Sequence, residues 1–274
     1  MVESSKKGTT TGKRNVTDKS SSILEVENTQ FNPKIFNKNK SPFVNQKLDW
    51  DDADHFQIPE ALIKGIKEVH LWEKPSRIQS VAIPYIMRKD EDSKNPNKYE
   101  CLIAQARNGA GKSGAFVIGS LLRVDPKIQK VQVICIGHTR ELVNQTTEVY
   151  EKVTRLAPEY KICNLLDKYD PTAQVIVSTI GKVLNYMKNP RGKIDLSALR
   201  VFVLDEADNF FMDKTREDEI MALHEIIQQL KTDVQYVFFS ATFDKAITEK
   251  LSNLISEANQ IHLKTEQLQL DNVQ

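Results

Sequence analysis

The sequence predicts a doubly wound α/β fold, in which a mostly parallel sheet is covered by helices on both faces. First, short apolar runs alternate with longer amphipathic stretches from residue 101 onward, the pattern of strand–helix units that build a parallel sheet. Second, these runs are apolar at almost every position, as in VICIG at residues 133–137, which is typical of strands buried on both faces. A chain of 274 residues has room for one such domain and a tail, or for two small domains.

A polar N-terminal extension precedes the predicted domain. Residues 1–48 are rich in Ser, Thr, Asn and Lys and carry nine Lys or Arg against four Asp or Glu, which predicts a disordered basic extension. Within it, only SSILEVENTQF is expected to become ordered. Residues 49–274 form the predicted domain, whose first helices start at Pro59, in PEALIKGIKEVHL, and after Ser76, which caps SRIQSVAIPYIMR. The polar residues 89–98 are predicted to form an exposed loop.

Seven strands follow, with helices between most of them, for example in TRELVNQTTEVYEKVTRLA and EDEIMALHEIIQQLK. Ligands of doubly wound folds bind at the carboxyl ends of the strands. Functional residues are therefore expected directly after strands. The strands are predicted at residues 101–105, 131–137, 161–166, 174–179, 200–205, 234–240 and 260–264.

Composition excludes several classes of protein. No apolar run approaches the roughly 18 residues of a membrane span, and the N-terminus lacks the apolar core of a signal peptide, so no membrane partner is expected. Cys101, Cys135 and Cys163 lie in separate apolar stretches, which predicts core thiols in a reducing compartment. Residues 49–274 carry 29 Lys or Arg against 33 Asp or Glu. Any contact with nucleic acid must therefore be local and cannot rest on bulk charge.

The run AQARNGAGKSGAF, residues 104–116, follows a predicted strand and opens a helix. Glycines in such a loop let backbone N–H groups turn toward phosphate oxygens, Lys112 can reach the β and γ phosphates, and the Ser113 hydroxyl can ligate Mg²⁺. Ala106 stands where the usual phosphate-loop pattern has its first glycine. The alternative is a structural turn before a helix. The candidate phosphate-binding residues are Ala106, Arg107, Asn108, Gly109, Ala110, Gly111, Lys112 and Ser113.

Two further segments end predicted strands. In VFVLDEAD, residues 201–208, Asp205 can hold Mg²⁺ through water and the adjacent Glu206 can polarise an attacking water. Alone, such acidic residues are more often caps of the next helix. The segment Ser240-Ala241-Thr242 follows VQYVFF, and alone it is an ordinary helix cap.

These segments, with WEKPSRIQ at residues 72–79, resemble the DEAD-box ATP-dependent RNA helicases. In order, the sequence shows a Q motif, the A-x-x-G-x-G-K-[ST] loop with the alanine of that family, TREL, DEAD and SAT. The resemblance spans about residues 50–264 and implies a RecA-like three-layer domain that uses ATP and Mg²⁺. It covers only the first of the family's two RecA-like domains, so a second one is expected to act in cis or in trans.

The resemblance also implies a branch and its partners. KSPFVNQKLDWDD before the Q motif and the ending IHLKTEQLQLDNVQ are similar to the mRNA-export branch, which acts at the cytoplasmic face of the nuclear pore. The expected partners are single-stranded RNA or mRNA and nuclear-pore and mRNA-export factors. The expected location is the cytoplasm and nucleus.

For the nucleotide, the resemblance implies that Gln79 recognises the adenine edge and that Trp72 stacks on the base. A core aromatic between helices is the alternative for Trp72. Trp50 and Phe56 compete as the family's upstream aromatic residue. The resemblance implies catalytic roles for Lys112, Asp205 and Glu206, and coupling of Asp208 to the hydroxyl groups of Ser240 and Thr242.

For RNA, the resemblance implies contacts to the sugar–phosphate backbone. The family's PTREL is HTREL here, with His138 for proline, its TPGR is TIGK, with Ile180 for proline, and its glycine doublet is missing. The RNA side is therefore expected to be altered more than the nucleotide side. The residues that retain usable donors are Thr139, Arg140, Thr179, Gly181 and Lys182.

Two hypotheses follow for the function. The first is an ATPase, the N-terminal domain of an RNA helicase. The second is a helicase-derived docking module that binds nucleotide but has little or no unwinding activity. A generic phosphate-loop kinase or transporter would require the Q motif, DEAD and SAT to be accidents.

Overall fold

The computed structural model describes residues 24–28, 48–91, 93–96, 98–189, 194–230, 232–242, 245–255 and 258–263. In these residues one sheet has the strand order β1-β8-β2-β7-β6-β3-β5-β4. All neighbouring strands are parallel except β1 and β8. The strands are β1 (Leu24–Asn28), β2 (Cys101–Gln105), β3 (Val133–Ile136), β4 (Ile162–Asn164), β5 (Val175–Ser178), β6 (Val201–Leu204), β7 (Gln235–Ser240) and β8 (Ala258–Leu263).

Helices cover both faces of this sheet, and a buried core lies under each layer. Successive residues of a strand point to opposite faces, so Val133 and Cys135 join one core while Ile134 and Ile136 join the other. The predicted three-layer α/β fold is confirmed. The first face carries α1 (Glu60–Lys64), a π-helical turn (Gly65–Val69), α2 (Arg77–Ile86), α3 (Lys112–Leu121) and α4 (Arg140–Thr154), and the second carries α5 (Ile180–Lys188), α6 (Asp208–Phe211), α7 (Lys214–Gln228) and α8 (Lys245–Leu254).

Each of the seven predicted strands is present. β2 has the predicted bounds, β3 to β7 are shorter by one or two residues at one or both ends, and β8 begins two residues earlier than predicted and ends one residue earlier. The segment SSILEVENTQF contributes β1, which pairs antiparallel with β8 at the edge of the sheet. The rest of the predicted basic extension, residues 1–23 and 29–47, lies outside the described residues, as do residues 264–274.

The helix predicted from Pro59 differs from the observed structure. It is α-helical only to Lys64 and continues as the π-helical turn, closed by a hydrogen bond of 2.9 Å from the His70 N–H to the Gly65 carbonyl. Gly65 packs so closely on α4 that a Cβ atom there would overlap the Val153 carbonyl oxygen. The π-helical turn ends at Val69, and two residues later Leu71 has a left-handed φ of 61°.

The three cysteines are free thiols, with Cys135 and Cys163 buried and Cys101 half-buried. Burial raises the pKa of the Cys135 and Cys163 thiols above its usual range, which keeps them protonated and unreactive. None of the described helices combines the length and apolar character that crossing a membrane requires.

Candidate active site: a phosphate loop facing a carboxylate cluster

The phosphate loop begins where β2 ends. The Ala106 N–H extends the ladder between β2 and β7 by donating to the Ser240 carbonyl at 3.1 Å. Gly109 and Gly111 then have φ angles of 81° and 95°, a region that favours glycine. A Cβ atom on Gly111 would also lie 3.0 Å from Gln79 Nε2. The chain therefore turns directly into α3, whose N-terminus presents unpaired backbone N–H groups to the loop.

Lys112 is the buried cation of the site, with 7% of its surface exposed. Its Nζ donates to the Ala106 carbonyl and to Asn108 Oδ1, both at 2.9 Å. Burial lowers the pKa of Lys112, and attraction to Asp205, Glu206 and Asp208 opposes this shift. The lysine of the phosphate loop is therefore close enough to the carboxylates of the DEAD segment to be attracted by them, although the two segments are distant in sequence.

The Q motif is tied to the phosphate loop by hydrogen bonds. Gln79 is buried; its Oε1 accepts from the Ser76 N–H at 2.6 Å, and its Nε2 donates to the Gly111 carbonyl at 3.2 Å. The Ser76 hydroxyl donates to the Ala110 carbonyl at 2.9 Å. The amide of Gln79 has two donor hydrogens and two acceptor lone pairs, so these contacts leave one donor and one acceptor position for a ligand.

Trp72 belongs to an aromatic cluster beside this motif. Its ring is stacked on the His70 ring with centroids 3.7 Å apart, and a Cβ atom on Gly114 would lie 2.6 Å from it. Trp50 is fully buried and donates from Nε1 to the Trp72 carbonyl at 3.0 Å, and Phe56 is buried beside Trp50. Trp72 is half-buried and packs on the core. Part of its side chain therefore serves as core packing, as the alternative interpretation of this residue expects. The contact with His70 was not predicted, because His70 lies within the helix predicted from Pro59.

Asp205 is the carboxylate at the tip of β6 and is 2% exposed. Its Oδ1 accepts from the Glu206 N–H at 2.9 Å. Burial raises the pKa of Asp205 to about 7, Lys112 opposes the shift, and Glu206 and Asp208 add to it.

A buried carboxylate of this kind fits Mg²⁺, because a divalent cation would offset its unfavourable charge. Ser113, in the first turn of α3, offers a hydroxyl oxygen. No cluster of three His, Cys, Asp or Glu suited to a metal is present in the described part of the chain.

Glu206 has a left-handed backbone, with φ 52°, a conformation that is strained for a residue other than glycine. Its Oε2 accepts from Asn209 Nδ2 at 3.3 Å and lies 3.1 Å from His138 Nδ1. His138 was expected on the RNA side, but its ring lies beside Glu206, the residue predicted to polarise water.

The DEAD and SAT segments are in direct contact. Asp208 is buried, and its Oδ2 accepts from the Thr242 hydroxyl at 2.6 Å and from the Thr242 N–H at 3.3 Å. The Ser240 hydroxyl donates to the Thr242 carbonyl at 2.7 Å. The structure thus brings together Asp208, Ser240 and Thr242, as the coupling role implied by the resemblance requires.

The five residues expected on the RNA side lie at the start of α4 and α5. Thr139 caps α4 by accepting from the Leu142 N–H at 3.1 Å, and Arg140 is exposed in the first turn. Thr179 precedes α5, where Gly181 and Lys182 form the first turn. Because β3 and β5 are parallel neighbours, both helix starts lie at the same edge of the sheet as the nucleotide site.

Fold and site together define a phosphate-loop α/β domain with a DEAD carboxylate segment. The sequence model of the DEAD/DEAH box helicase family matches residues 76–250, and the chain belongs to this family.

Similar proteins with curated names are RNA helicases. DEAD-box ATP-dependent RNA helicase 38 of Arabidopsis thaliana is 32% identical, over 93% of this chain and 51% of its own length. ATP-dependent RNA helicase DBP5 of Candida albicans is 35% identical, over 77% of this chain and 37% of its own length. The chain therefore spans about half, or less, of the length of these relatives.

Solved structures agree with this assignment. Dbp5 of S. cerevisiae bound to RNA and ADP BeF3 matches with a TM-score of 0.66 and 32% identity, over 78% of this chain and 52% of that one. A Dbp5 variant bound to Nup159, a Gle1 variant, IP6 and ADP matches with a TM-score of 0.65 and 33% identity, over 75% of this chain and 52% of that one. A DEAD box protein of Methanococcus jannaschii, at 24% identity and a TM-score of 0.63 over 77% of this chain and 55% of that one, shows the same fold.

Proposed function

We propose that this chain is the ATP-binding domain of a DEAD-box RNA helicase that hydrolyses ATP to remodel RNA in mRNA export. The observation that carries the proposal is the position of Lys112 in the phosphate loop opposite Asp205, Glu206 and Asp208. This arrangement places a cation for phosphate oxygens next to carboxylates for metal and water. No comparison favours the docking-module alternative.

On ATP binding, Lys112 exchanges its contacts with the Ala106 and Asn108 oxygens for the β and γ phosphates, while the backbone of residues 106–113 surrounds the phosphates. Ser113 and Asp205 would hold Mg²⁺, which neutralises charge that develops on the transferred phosphoryl group. Glu206 orients and polarises the water that attacks the γ phosphate. The adenine base binds the remaining donor and acceptor of Gln79 and stacks on Trp72.

RNA binds at the starts of α4 and α5. Thr139, Arg140, Thr179, Gly181 and Lys182 contact its sugar–phosphate backbone through hydroxyl, cationic and backbone N–H groups. The hydrogen bonds that join Asp208 to Thr242, and Thr242 to Ser240, link hydrolysis to this surface. Support comes from Dbp5 of S. cerevisiae, whose structure holds both RNA and a nucleotide.

The Dbp5 relatives support the mRNA-export assignment. Dbp5 has been solved with Nup159 and Gle1, and we propose nuclear-pore and export factors of this kind as partners, with action in the cytoplasm and nucleus at the cytoplasmic face of the pore. A second RecA-like domain, in cis or in trans, completes the catalytic site.

The experiment compares Lys112→Ala with Glu206→Gln. Nucleotide affinity is measured with a fluorescent ATP analogue, and hydrolysis is measured with RNA and a second RecA-like domain of a Dbp5 relative. Lys112→Ala should weaken nucleotide binding because it removes a cation from the phosphates. Glu206→Gln should spare binding and abolish turnover because only the group that activates water is lost. Lys182→Ala is the matched control, which should retain ATP affinity. Equal loss of ATP affinity in the first two variants would contradict the assigned roles.

A further inference from the structure

His138 and Glu206 meet because of the order and register of two strands. In the sheet, β3 and β6 are parallel neighbours, with Ile136 opposite Leu204. Two residues beyond each of these positions, the side chains of His138 and Glu206 project from the same edge, and Nδ1 lies 3.1 Å from Oε2. The DEAD-box pattern has proline at this position, which offers no side-chain donor.

The surroundings of His138 hold its ring in place. The ring packs edge-to-face on Phe210, with centroids 6.3 Å apart at an interplanar angle of 86°. Nδ1 is buried and has no well-aligned hydrogen-bond partner in the described structure. An unpaired buried nitrogen is unfavourable, and catalytic hydrogen bonds often align only when the substrate binds. A small rotation of either side chain would align Nδ1–H with Glu206 Oε2.

The two side chains next to Glu206 both approach the same oxygen of its carboxylate. Asn209 Nδ2 donates to Oε2, the same oxygen that faces His138. Neither of these side chains engages Oε1. A second donor on this oxygen would restrict rotation of the carboxylate and leave Oε1 available for another partner.

We propose that His138 is a positioning residue for Glu206. Its Nδ1–H donates to Oε2, and this bond, with that from Asn209, holds Oε1 toward the attacking water. In this proposal His138 acts only as a hydrogen-bond donor to Glu206 and does not touch the nucleotide. The inference rests on the proposed function, because it assigns His138 to the hydrolysis that Glu206 supports. His138 should therefore affect the rate of hydrolysis and not the affinity for ATP.

The kinetic test uses two variants, each of which retains a different feature of the histidine side chain. His138→Phe retains the packing on Phe210 but removes the donor, and His138→Asn places an amide N–H near the position of Nδ1. Single-turnover hydrolysis is measured with saturating ATP, RNA and a second RecA-like domain. The hydrogen bond predicts a loss of about tenfold for His138→Phe, unchanged ATP affinity in both variants, and recovery in His138→Asn. Wild-type hydrolysis by His138→Phe, or equal loss in both variants, would overturn the proposal.

A second measurement needs no nucleotide. Nitrogen NMR of histidine-labelled chain at about pH 8, where most histidines are neutral, reports which ring nitrogen holds the proton. His138 should be protonated on Nδ1, whereas His55 should be protonated on Nε2, which lies 2.7 Å from the Ser80 carbonyl oxygen. A His138 proton found on Nε2 alone would overturn the inference. Failure of the wild-type chain to bind ATP, by contrast, would refute the proposed function whatever the NMR result.

Discussion

Asp205→Asn should stabilise the protein while removing its activity. The carboxyl group of Asp205 is buried, and its pKa is raised from an ordinary value of 3.8 to about 7, mainly by burial. In the unfolded chain this carboxyl group ionises at its ordinary pKa. The folded state therefore binds the proton more tightly, and ionisation of Asp205 destabilises the fold. Asparagine has nearly the same shape without the charge.

The size of the effect follows from the two pKa values. Each pKa unit corresponds to about 1.4 kcal/mol, so the gap predicts that ionised Asp205 costs about 4 kcal/mol above pH 7, an upper value because water can enter the site. The cost is absent below the unfolded pKa near 4, grows as the pH rises, and is complete above the folded pKa near 7. Asp205→Asn should therefore raise the free energy of unfolding by about 2–4 kcal/mol at pH 8 and change it little at pH 4.

Urea unfolding of the chain without metal or nucleotide, at several pH values between these limits, is the assay. Asp213→Asn is the matched control, because Asp213 caps α7 at the surface through Oδ1, an interaction that asparagine retains. Its unfolding free energy should follow the wild type at every pH. Equal stability of wild type and Asp205→Asn at pH 8, or a stabilisation independent of pH, would refute the argument from the buried charge.

Three other predictions concern recognition, stability and rate. Gln79→Ala should bring the affinities for ATP and GTP close together in a titration, because the amide proposed to pair with adenine is lost. Gln145→Ala, on the exposed side of α4, is the control and should leave the two affinities as they are. An unchanged ratio of ATP to GTP affinity in Gln79→Ala would contradict the adenine role. Thr242→Val should lower the free energy of unfolding in urea by about 1–3 kcal/mol, since the buried Asp208 loses a charged hydrogen bond; an unchanged value would mean that the bond is not made in solution. The 274-residue chain alone should hydrolyse ATP slowly in a single-turnover assay. Its rate should rise by a factor on the order of 10³–10⁵ when a second domain supplies an arginine finger. A rate on the order of one per second without that domain, stimulated by RNA, would show a complete site in this chain.

Strands were more predictable from the sequence than the connections between them. A run such as VQVICIG is apolar at both odd and even positions, which leaves few structures other than a strand covered on two faces. The edge strand β4 is shorter than predicted, because KICNLL includes residues that turn away after Asn164. The π-helical turn was not predictable, since it depends on the contact between Gly65 and the α4 backbone rather than on local periodicity.

The residues of the candidate site also differ in how far the sequence predicts them. The phosphate loop and DEAD could be found because each is a contiguous run with its own chemistry. The position of His138 could not, because it depends on β3 lying beside β6, and nothing in the linear sequence gives that neighbour. The His70–Trp72 stack likewise follows from the π-helical turn. Residues whose partners come from another strand or from an irregular turn therefore require the structure.

The amide of Gln79 connects the proposed binding site for the base to the phosphate loop. It binds the start of α2 through the Ser76 N–H and the end of the phosphate loop through the Gly111 carbonyl. A base that binds this amide therefore acts on the same hydrogen bonds that position the loop around the phosphates. Inorganic triphosphate has no base, so it would bind a loop whose shape is determined by the protein alone. A purine nucleotide could also change the shape of this loop, because its base would contact the Gln79 amide. If Gln79 recognises the base as proposed, we expect discrimination between bases to appear also as a difference in how tightly the phosphates are held.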